Sequence, residues 1–309
     1  MNYAEIEQRI FQWAESRQDI RAVFVIGSRG QDNVDSVRNG SDLDVLVVSS
    51  KPELYRFEAN DWCRQIAPMI LVQKQVDAHM VFPSSNDYYA VFSPDLDVDF
   101  SFVSLKDLRW EIAQGRVLLN FPKIYPDIFA QRLRAEASAF HLGFRALIDH
   151  DTLARELKNT MCQIQWVSTL PSAQIFLRAV DEFLILTFKA YKKAESDKLF
   201  HAKWICDVTL KIQIIRMAEW HVRSLGTQDK AIRRRDLAID EWADKQVKEE
   251  MTKISSGFEA KEIYNALYAS LNLFYWMIVE TAKNLGYQDD LVAAIDSIEW
   301  LREKLESSL

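Results

Sequence analysis

The amino-acid sequence predicts an α+β fold in its N-terminal part and an all-helical fold after it. Three observations carry this reading. Short apolar runs closed by turn residues recur as far as Val103. Beyond about Pro126 such runs stop, and apolar residues step by three and four instead. At 309 residues the chain is also long enough for two domains, each with its own core.

The elements follow in order. Ile6, Ile10 and Trp13 recur at helical spacing and predict an opening helix that ends near Arg17. RAVFVIG (21–27) is a buried strand running into a glycine turn, and the polar, turn-rich stretch that follows reads as a loop. DLDVLVVSS (42–50) is a second strand. The charged segment around Trp62 reads as a helix, and MILVQKQV (69–76) as a third strand. YYAVFS and DLDVDFSFV (95–103) supply two more, the last alternating acidic or small residues with apolar ones. In the C-terminal part, Ile263, Leu267, Leu271, Phe274, Ile278 and Ala282 line one helix face, and Phe200, Trp204, Val208, Ile212 and Ile215 another. No internal repeat or low-complexity segment interrupts the chain.

Composition narrows the class. A hydrophobic fraction of 49% and a charged fraction of 27% are those of a globular protein. The net charge of −7 argues against a general nucleic-acid binder and suits a cationic partner. Cys63, Cys162 and Cys206 are scattered, which predicts buried thiols rather than a disulfide framework or a zinc site. The opening MNYAEIEQRIFQW has no signal-peptide core and no apolar run is long enough for a membrane helix, so a cytoplasmic location is expected.

The chemistry concentrates in Gly27-Ser28, a thirteen-residue gap, then Asp42-Leu43-Asp44-Val45. A glycine ending a buried strand lets backbone amides and the Ser28 hydroxyl approach a phosphate. On a strand Asp42 and Asp44 project together, and two hard carboxylates side by side call for a cation, with Mg²⁺ suited to an all-oxygen site. A third carboxylate would complete a two-metal site for phosphoryl displacement, and Asp95, Asp97 and Asp99 are its candidates. An isolated D-x-D is usually only a solvated strand face. Here it opens the apolar run VLVV, follows a glycine-serine pair and precedes a second acidic strand, which favours the chemical reading.

GS…SDLDV followed by DVDF resembles the nucleotidyltransferase superfamily typified by DNA polymerase β. More narrowly, the chain is similar to the aminoglycoside 6-adenylyltransferases, or streptomycin adenylyltransferases. VFVIGSR, SDLDVLVV, the Trp62 segment, VFPSSNDYYAVFSPDLDVDFSFV and the helical half follow that family's order, specifically in the N-terminal half and more diffusely after residue 150. The resemblance implies a nucleotidyltransferase domain over 1–130, a mixed sheet flanked by helices, and a helical acceptor-binding domain over 131–309. It implies ATP as co-substrate, Mg²⁺, and a cationic hydroxylated acceptor of the streptomycin type, with no nucleic-acid or membrane partner. Gly27, Ser28 and Arg29 match the phosphate-contacting segment, and Asp42 and Asp44 the metal-binding aspartates. V-D-F-S-F matches the family's third-aspartate pattern, which selects Asp99 as metal ligand and base, with Asp97 as its substitute.

In the helical half, DKLFHAKWICD (197–207) resembles a family segment from which Lys203 would reach the β- or γ-phosphate; a solvated helix lysine is the competing reading. His201 reads as a surface histidine and Glu182 as a helix-surface acid, with an acceptor contact as the alternative for Glu182. KAIRRRD (230–236) lacks interleaved aromatics and reads as a solvated loop, and Phe274, Tyr275 and Trp276 read as core. Asn86, Asp87, Tyr88 and Tyr89 are placed at the rim of the acceptor pocket. Two rival functions remain in view. The same fold can modify another acceptor, a protein or a different antibiotic, because acceptor choice lives outside the catalytic machinery. A non-catalytic nucleotide-binding module is the other, and the intact carboxylate set argues against it.

Overall fold

The computed structural model describes residues 1–31, 41–56, 59–75, 82–165, 170–226 and 239–309. They form two compact units, Met1–Val167 and Ser168–Leu309. The first is built on a six-stranded sheet in the order β3-β4-β5-β2-β1-β6. Its elements along the chain are α1 (Tyr3–Glu15), β1 (Ile20–Ile26), β2 (Leu43–Ser49), α2 (Ala59–Ile66), β3 (Met69–Gln75), β4 (Asn86–Phe92), β5 (Leu96–Ser104), α3 (Leu105–Asn120), α4 (Asp127–Leu142), β6 (Phe144–Asp149) and α5 (Leu153–Lys158). The sheet is mixed: β2 and β5 run parallel and every other pairing is antiparallel.

Strand alternation divides the side chains between two cores. On one face Val23, Val25, Leu43, Val45, Phe100 and Phe102 pack against Ile6, Ile10 and Trp13 of α1 and Trp62 of α2. Aromatic rings dominate this layer: Trp62 lies 5.1 Å from Phe100 and 5.0 Å from Phe102, both edge-on, a geometry that the ring quadrupoles favour. On the other face Phe24, Ile26, Leu46 and Val48 meet Leu108 and Ile112 of α3 and Leu133, Ala137 and Phe140 of α4.

The strands through β5 fall where alternation predicts them. β6 is a correction: FRALID was assigned to the helical part. Among the described residues it is an edge strand paired with β1 alone, and within it Ile148 alone is buried, so it shows no apolar alternation. For the same reason the compact unit does not end at the expected 130/131 boundary. α4 contributes to the core and β6 to the sheet, and the division falls after Val167.

The second unit is helical throughout its described residues: α6 (Ala173–Glu195), α7 (Leu199–Trp204), α8 (Leu210–Ser224), α9 (Ile239–Trp242), α10 (Lys245–Glu250), α11 (Ala260–Leu285) and α12 (Val292–Glu306). α11 starts at a capping box between Glu259 and Glu262, and Gly286 ends it in the left-handed conformation. Its predicted stripe from Ile263 to Ala282 is buried throughout, and Phe183 of α6 stacks on Phe274. The Phe200–Ile215 stripe is a second correction. The helix exists, but Phe200, Trp204 and Ile212 are more than half exposed, and Ala202, Cys206, Leu210 and Ile214 form the buried face instead. A π turn over Ile205–Thr209 joins α7 to α8 and shifts the phase of the pattern by an extra residue. No helix among the described residues is long and apolar enough to cross a membrane.

Candidate functional site

Three strands place the acidic residues. Ile26 pairs with Asp44 across β1 and β2, Asp44 with Asp99 across β2 and β5, and Asp99 with Tyr89 across β5 and β4. Asp44, Asp99 and Tyr89 therefore stand in one row, and Asp42 precedes Asp44 by two residues on the same face. Carboxylate oxygens of Asp42, Asp44 and Asp99 all lie within 4.8 Å of one another. Asp44 and Asp99 are buried, 8% and 9% exposed, so water does little to screen their repulsion.

Asp99 carries the consequence. Burial, then the charges of Asp44, Asp42, Asp97 and Asp87, push its carboxyl up to about 7. Its Oδ1 has no hydrogen-bond partner among the described residues. A buried, unpaired carboxylate oxygen beside two further carboxylates is a donor set of hard oxygens, and it fits a divalent cation of the Mg²⁺ or Mn²⁺ kind. Asp97 and Asp99 share a face, but Tyr3 of α1 donates its hydroxyl to Asp97 Oδ1 at 2.5 Å. Burial, followed by this hydrogen bond, raises the Tyr3 phenol to about 12, so it stays a donor. Asp97 is thus engaged by Tyr3 while Asp99 joins the cluster. Asp95 is exposed in the turn before β5.

The glycine turn is shaped by the same carboxylates. Gly27 adopts φ +72 at the head of a 3₁₀ turn over Gly27–Gly30, and a Cβ there would collide with the Asp44 carboxylate. Only glycine satisfies both conditions. Gly30 and Gly143 touch backbone to backbone, a Cβ on Gly30 meeting the Gly143 carbonyl at 2.6 Å, which seats the turn on the α4–β6 junction. Ser28 is half-buried on this turn. Arg29 behaves differently from the expected phosphate ligand. Its Nε donates to the carbonyls of Ser41 (3.0 Å) and Asp42 (3.1 Å) and its Nη2 to Ser41 (2.8 Å), while its guanidinium lies 3.4 Å from the Tyr3 ring centre.

The rim residues divide by strand face. Tyr88 is buried in the opposite core with its hydroxyl on the Tyr55 carbonyl, so it does not belong to the rim. Asp87 is buried and accepts from Ser85 Oγ at 2.8 Å. Tyr89 is half-buried beside the acids; burial first, then Asp97, Asp99 and Asp42, raise its phenol above the ordinary value. Tyr3 was missed by sequence reasoning. It falls in phase with Ile6, Ile10 and Trp13 and packs partly buried against the same core, so no local pattern marks its hydroxyl as a site contact.

In the second unit Lys203 donates to Asp207 Oδ2 at 2.5 Å and to the Ser256 carbonyl. Asp207 also accepts from the Ser256 amide and from Lys211. Burial alone would raise the Asp207 carboxyl, but these donors hold it below the usual range. His201 is exposed, and Glu182 is a surface acid 3.6 Å from Arg216. Phe274 is core, with Tyr275 and Trp276 packed against it. The 230–236 run lies outside the described residues. All three cysteines are free; Cys63 and Cys206 are buried and Cys162 partly so.

Among solved structures the chain is similar to an aminoglycoside 6-adenyltransferase from Bacillus subtilis, at 15% identity over 99% of this chain and 98% of that one, TM-score 0.41. It is also similar to a nucleotidyltransferase-like protein from Exiguobacterium sibiricum 255-15, at 11% identity over 98% and 92%, TM-score 0.28. A CCA-adding enzyme in complex with CTP matches at 12% identity over 98% and 72%, TM-score 0.31. No curated protein matches the chain. A family model, streptomycin adenylyltransferase, matches residues 1–303. With nearly its whole length matched, the chain belongs to the streptomycin adenylyltransferase family and is a nucleotidyltransferase.

Proposed function

We propose that this enzyme transfers AMP from ATP to a hydroxyl of a cationic aminoglycoside of the streptomycin type, with Mg²⁺ as the cation, and releases pyrophosphate. The observation that carries the reading is the convergence of Asp42, Asp44 and Asp99 within 4.8 Å, two of them buried. Asp42, Asp44 and Asp99 would hold the divalent cations. Once bound, such cations neutralise the triphosphate and stabilise attacking and leaving oxygens.

The chain's own residues supply the rest. Gly27 leaves room for the Asp44 carboxylate where a side chain would stand, and the Ser28 amide and hydroxyl on the same turn would be the phosphate donors. The acceptor oxygen bonds to the α-phosphorus as the bond to the bridging pyrophosphate oxygen breaks. Asp99, on a different strand from the other two acids, takes the acceptor's proton. The net charge of −7 and the family favour a cationic acceptor over a protein or a neutral antibiotic. Lys203 would reach a phosphate only by leaving Asp207.

The test follows pyrophosphate release from ATP with a panel of aminoglycosides, with Mg²⁺ and with excess EDTA. Release should need both Mg²⁺ and an aminoglycoside, streptomycin first, while the circular-dichroism spectrum is unchanged by EDTA. Full turnover in EDTA would overturn the cation reading. Release with a protein or neutral acceptor alone would overturn the acceptor.

A further inference from the structure

Arg29, Tyr3 and Asp97 form a connected set that nucleotide transfer as described does not use. Arg29 sits on the glycine turn, yet its Nε and Nη2 edge grips the carbonyls of Ser41 and Asp42, where the chain enters β2. Its guanidinium face rests on the Tyr3 ring at 3.4 Å. The Tyr3 hydroxyl in turn holds Asp97, two residues before Asp99 on β5. Asn2 caps α1 by accepting from the Glu5 amide, which fixes Tyr3 as the first helical residue. One path of direct contacts therefore joins α1, the glycine turn, the start of β2 and the start of β5.

These are the places from which the cluster's side chains project. Asp42 sits just ahead of β2, outside the ladder, so strand hydrogen bonds alone do not hold it. A planar guanidinium that satisfies two successive carbonyls fixes that backbone, and an aromatic face under it stops the fork from turning. Lysine, a single compact charge, cannot span both carbonyls while lying flat on a ring.

We propose that Tyr3 and Arg29 act as one positioning pair that sets the Asp42 carboxylate for the cation site, Arg29 serving as a backbone fork rather than as a phosphate ligand. The inference rests on the cation reading above and adds two residues to it. Neither residue is catalytic, since neither reaches the reacting atoms through these contacts.

The experiment measures Mn²⁺ binding to the full chain by electron paramagnetic resonance without nucleotide, and ATP affinity at saturating Mn²⁺. The variants are Arg29→Lys, Tyr3→Leu, Tyr3→Phe, the Arg29→Lys/Tyr3→Leu double and Asp99→Asn. Arg29→Lys and Tyr3→Leu should each weaken Mn²⁺ binding by roughly 10-fold, the scale for residues that orient metal ligands. The double should be no worse than the weaker single by more than about twofold, because both changes break one unit. Tyr3→Phe keeps the ring under Arg29, so it should lose less than Tyr3→Leu; it also serves if Tyr3→Leu fails to fold. ATP affinity at saturating Mn²⁺ should stay within about twofold in every pair variant, a separation that general loosening would not produce. Weakened ATP affinity in Arg29→Lys with Mn²⁺ binding unchanged would make Arg29 a phosphate ligand and overturn the proposal. Effects that multiply in the double would overturn the pairing. Wild type without Mn²⁺ binding, and Asp99→Asn no different, would overturn the cation reading itself and this inference with it.

Discussion

At the scale of single residues, the site depends on charge held against its own preference. Asp99 is raised to about 7 from an ordinary 3.8, so between those values the folded state binds more protons than the unfolded one. Its contribution to stability therefore falls as pH rises through that window. Thermal melting without divalent cation should show this decline, and Asp99→Asn should flatten it. A proton and a cation compete for the same carboxylate, so Mn²⁺ should bind more tightly at pH 8 than at pH 6. Equal affinity at both would place Asp99 outside the cation site. In turnover, Asp99→Asn should lower the rate by roughly 10²-fold or more, the scale for a positioned base, with ATP binding kept within a few-fold. Asp97→Asn is expected to be milder, because its partner is Tyr3. Active Asp99→Asn beside dead Asp97→Asn would reverse the two roles.

Gly27 offers a steric test of the same geometry. Alanine at φ +72 is strained, and its methyl would occupy the space of the Asp44 carboxylate. Gly27→Ala should abolish turnover and cost at least about 1 kcal/mol of stability, the scale of an Ala forced into the left-handed region before any displacement of Asp44 is added. A fully active Gly27→Ala enzyme would mean that Asp44 need not stand where β2 puts it.

At the scale of elements, the π turn between α7 and α8 sets Lys203 and Lys211 on either side of Asp207. Asp207 accepts from lysine ammonium groups and from the Ser256 amide and hydroxyl, so Asp207→Asn should cost about 1.5–3 kcal/mol in urea unfolding, the range for hydrogen bonds to a charged group. Lys203→Met then separates two roles. Loss of stability alone means that the Asp207 pair is the reason for the lysine. Loss of ATP affinity at unchanged stability means that a phosphate draws it away.

The elements also show what sequence could and could not convey. β1 and β2 were legible because burial on both faces leaves continuous apolar runs, and β5 because acidic or small residues alternate with apolar ones. Asp42 and Asp44 stood out at the head of the β2 run. β6 was not, because an edge strand pairs through backbone and carries no such pattern. The Phe200–Ile215 stripe misled because helical periodicity identifies a helix without saying which face is buried. Tyr3 and the Arg29 fork depend on residues far apart in sequence that meet only in the fold. Periodicity alone left Asp97 and Asp99 open, since both lie on one strand face. The family resemblance selected Asp99, and the fold groups Asp99 with Asp42 and Asp44 while Tyr3 holds Asp97.

At the scale of the whole molecule, the chain forms two units with separate cores. The sheet-bearing unit carries all three cluster acids, and the helical unit carries Lys203. A chain with a net charge of −7 attracts a polycationic acceptor before any specific contact forms, and salt weakens that attraction. The central claim is that the enzyme moves an adenylyl group onto an aminoglycoside hydroxyl. Mass spectrometry of streptomycin incubated with enzyme, ATP and Mg²⁺ tests it most directly. The claim predicts streptomycin heavier by one adenylyl group, with stoichiometric pyrophosphate, and no such product from Asp99→Asn or in EDTA. Unmodified streptomycin and unmodified related aminoglycosides, from wild-type enzyme shown to bind Mn²⁺ and ATP, would contradict it.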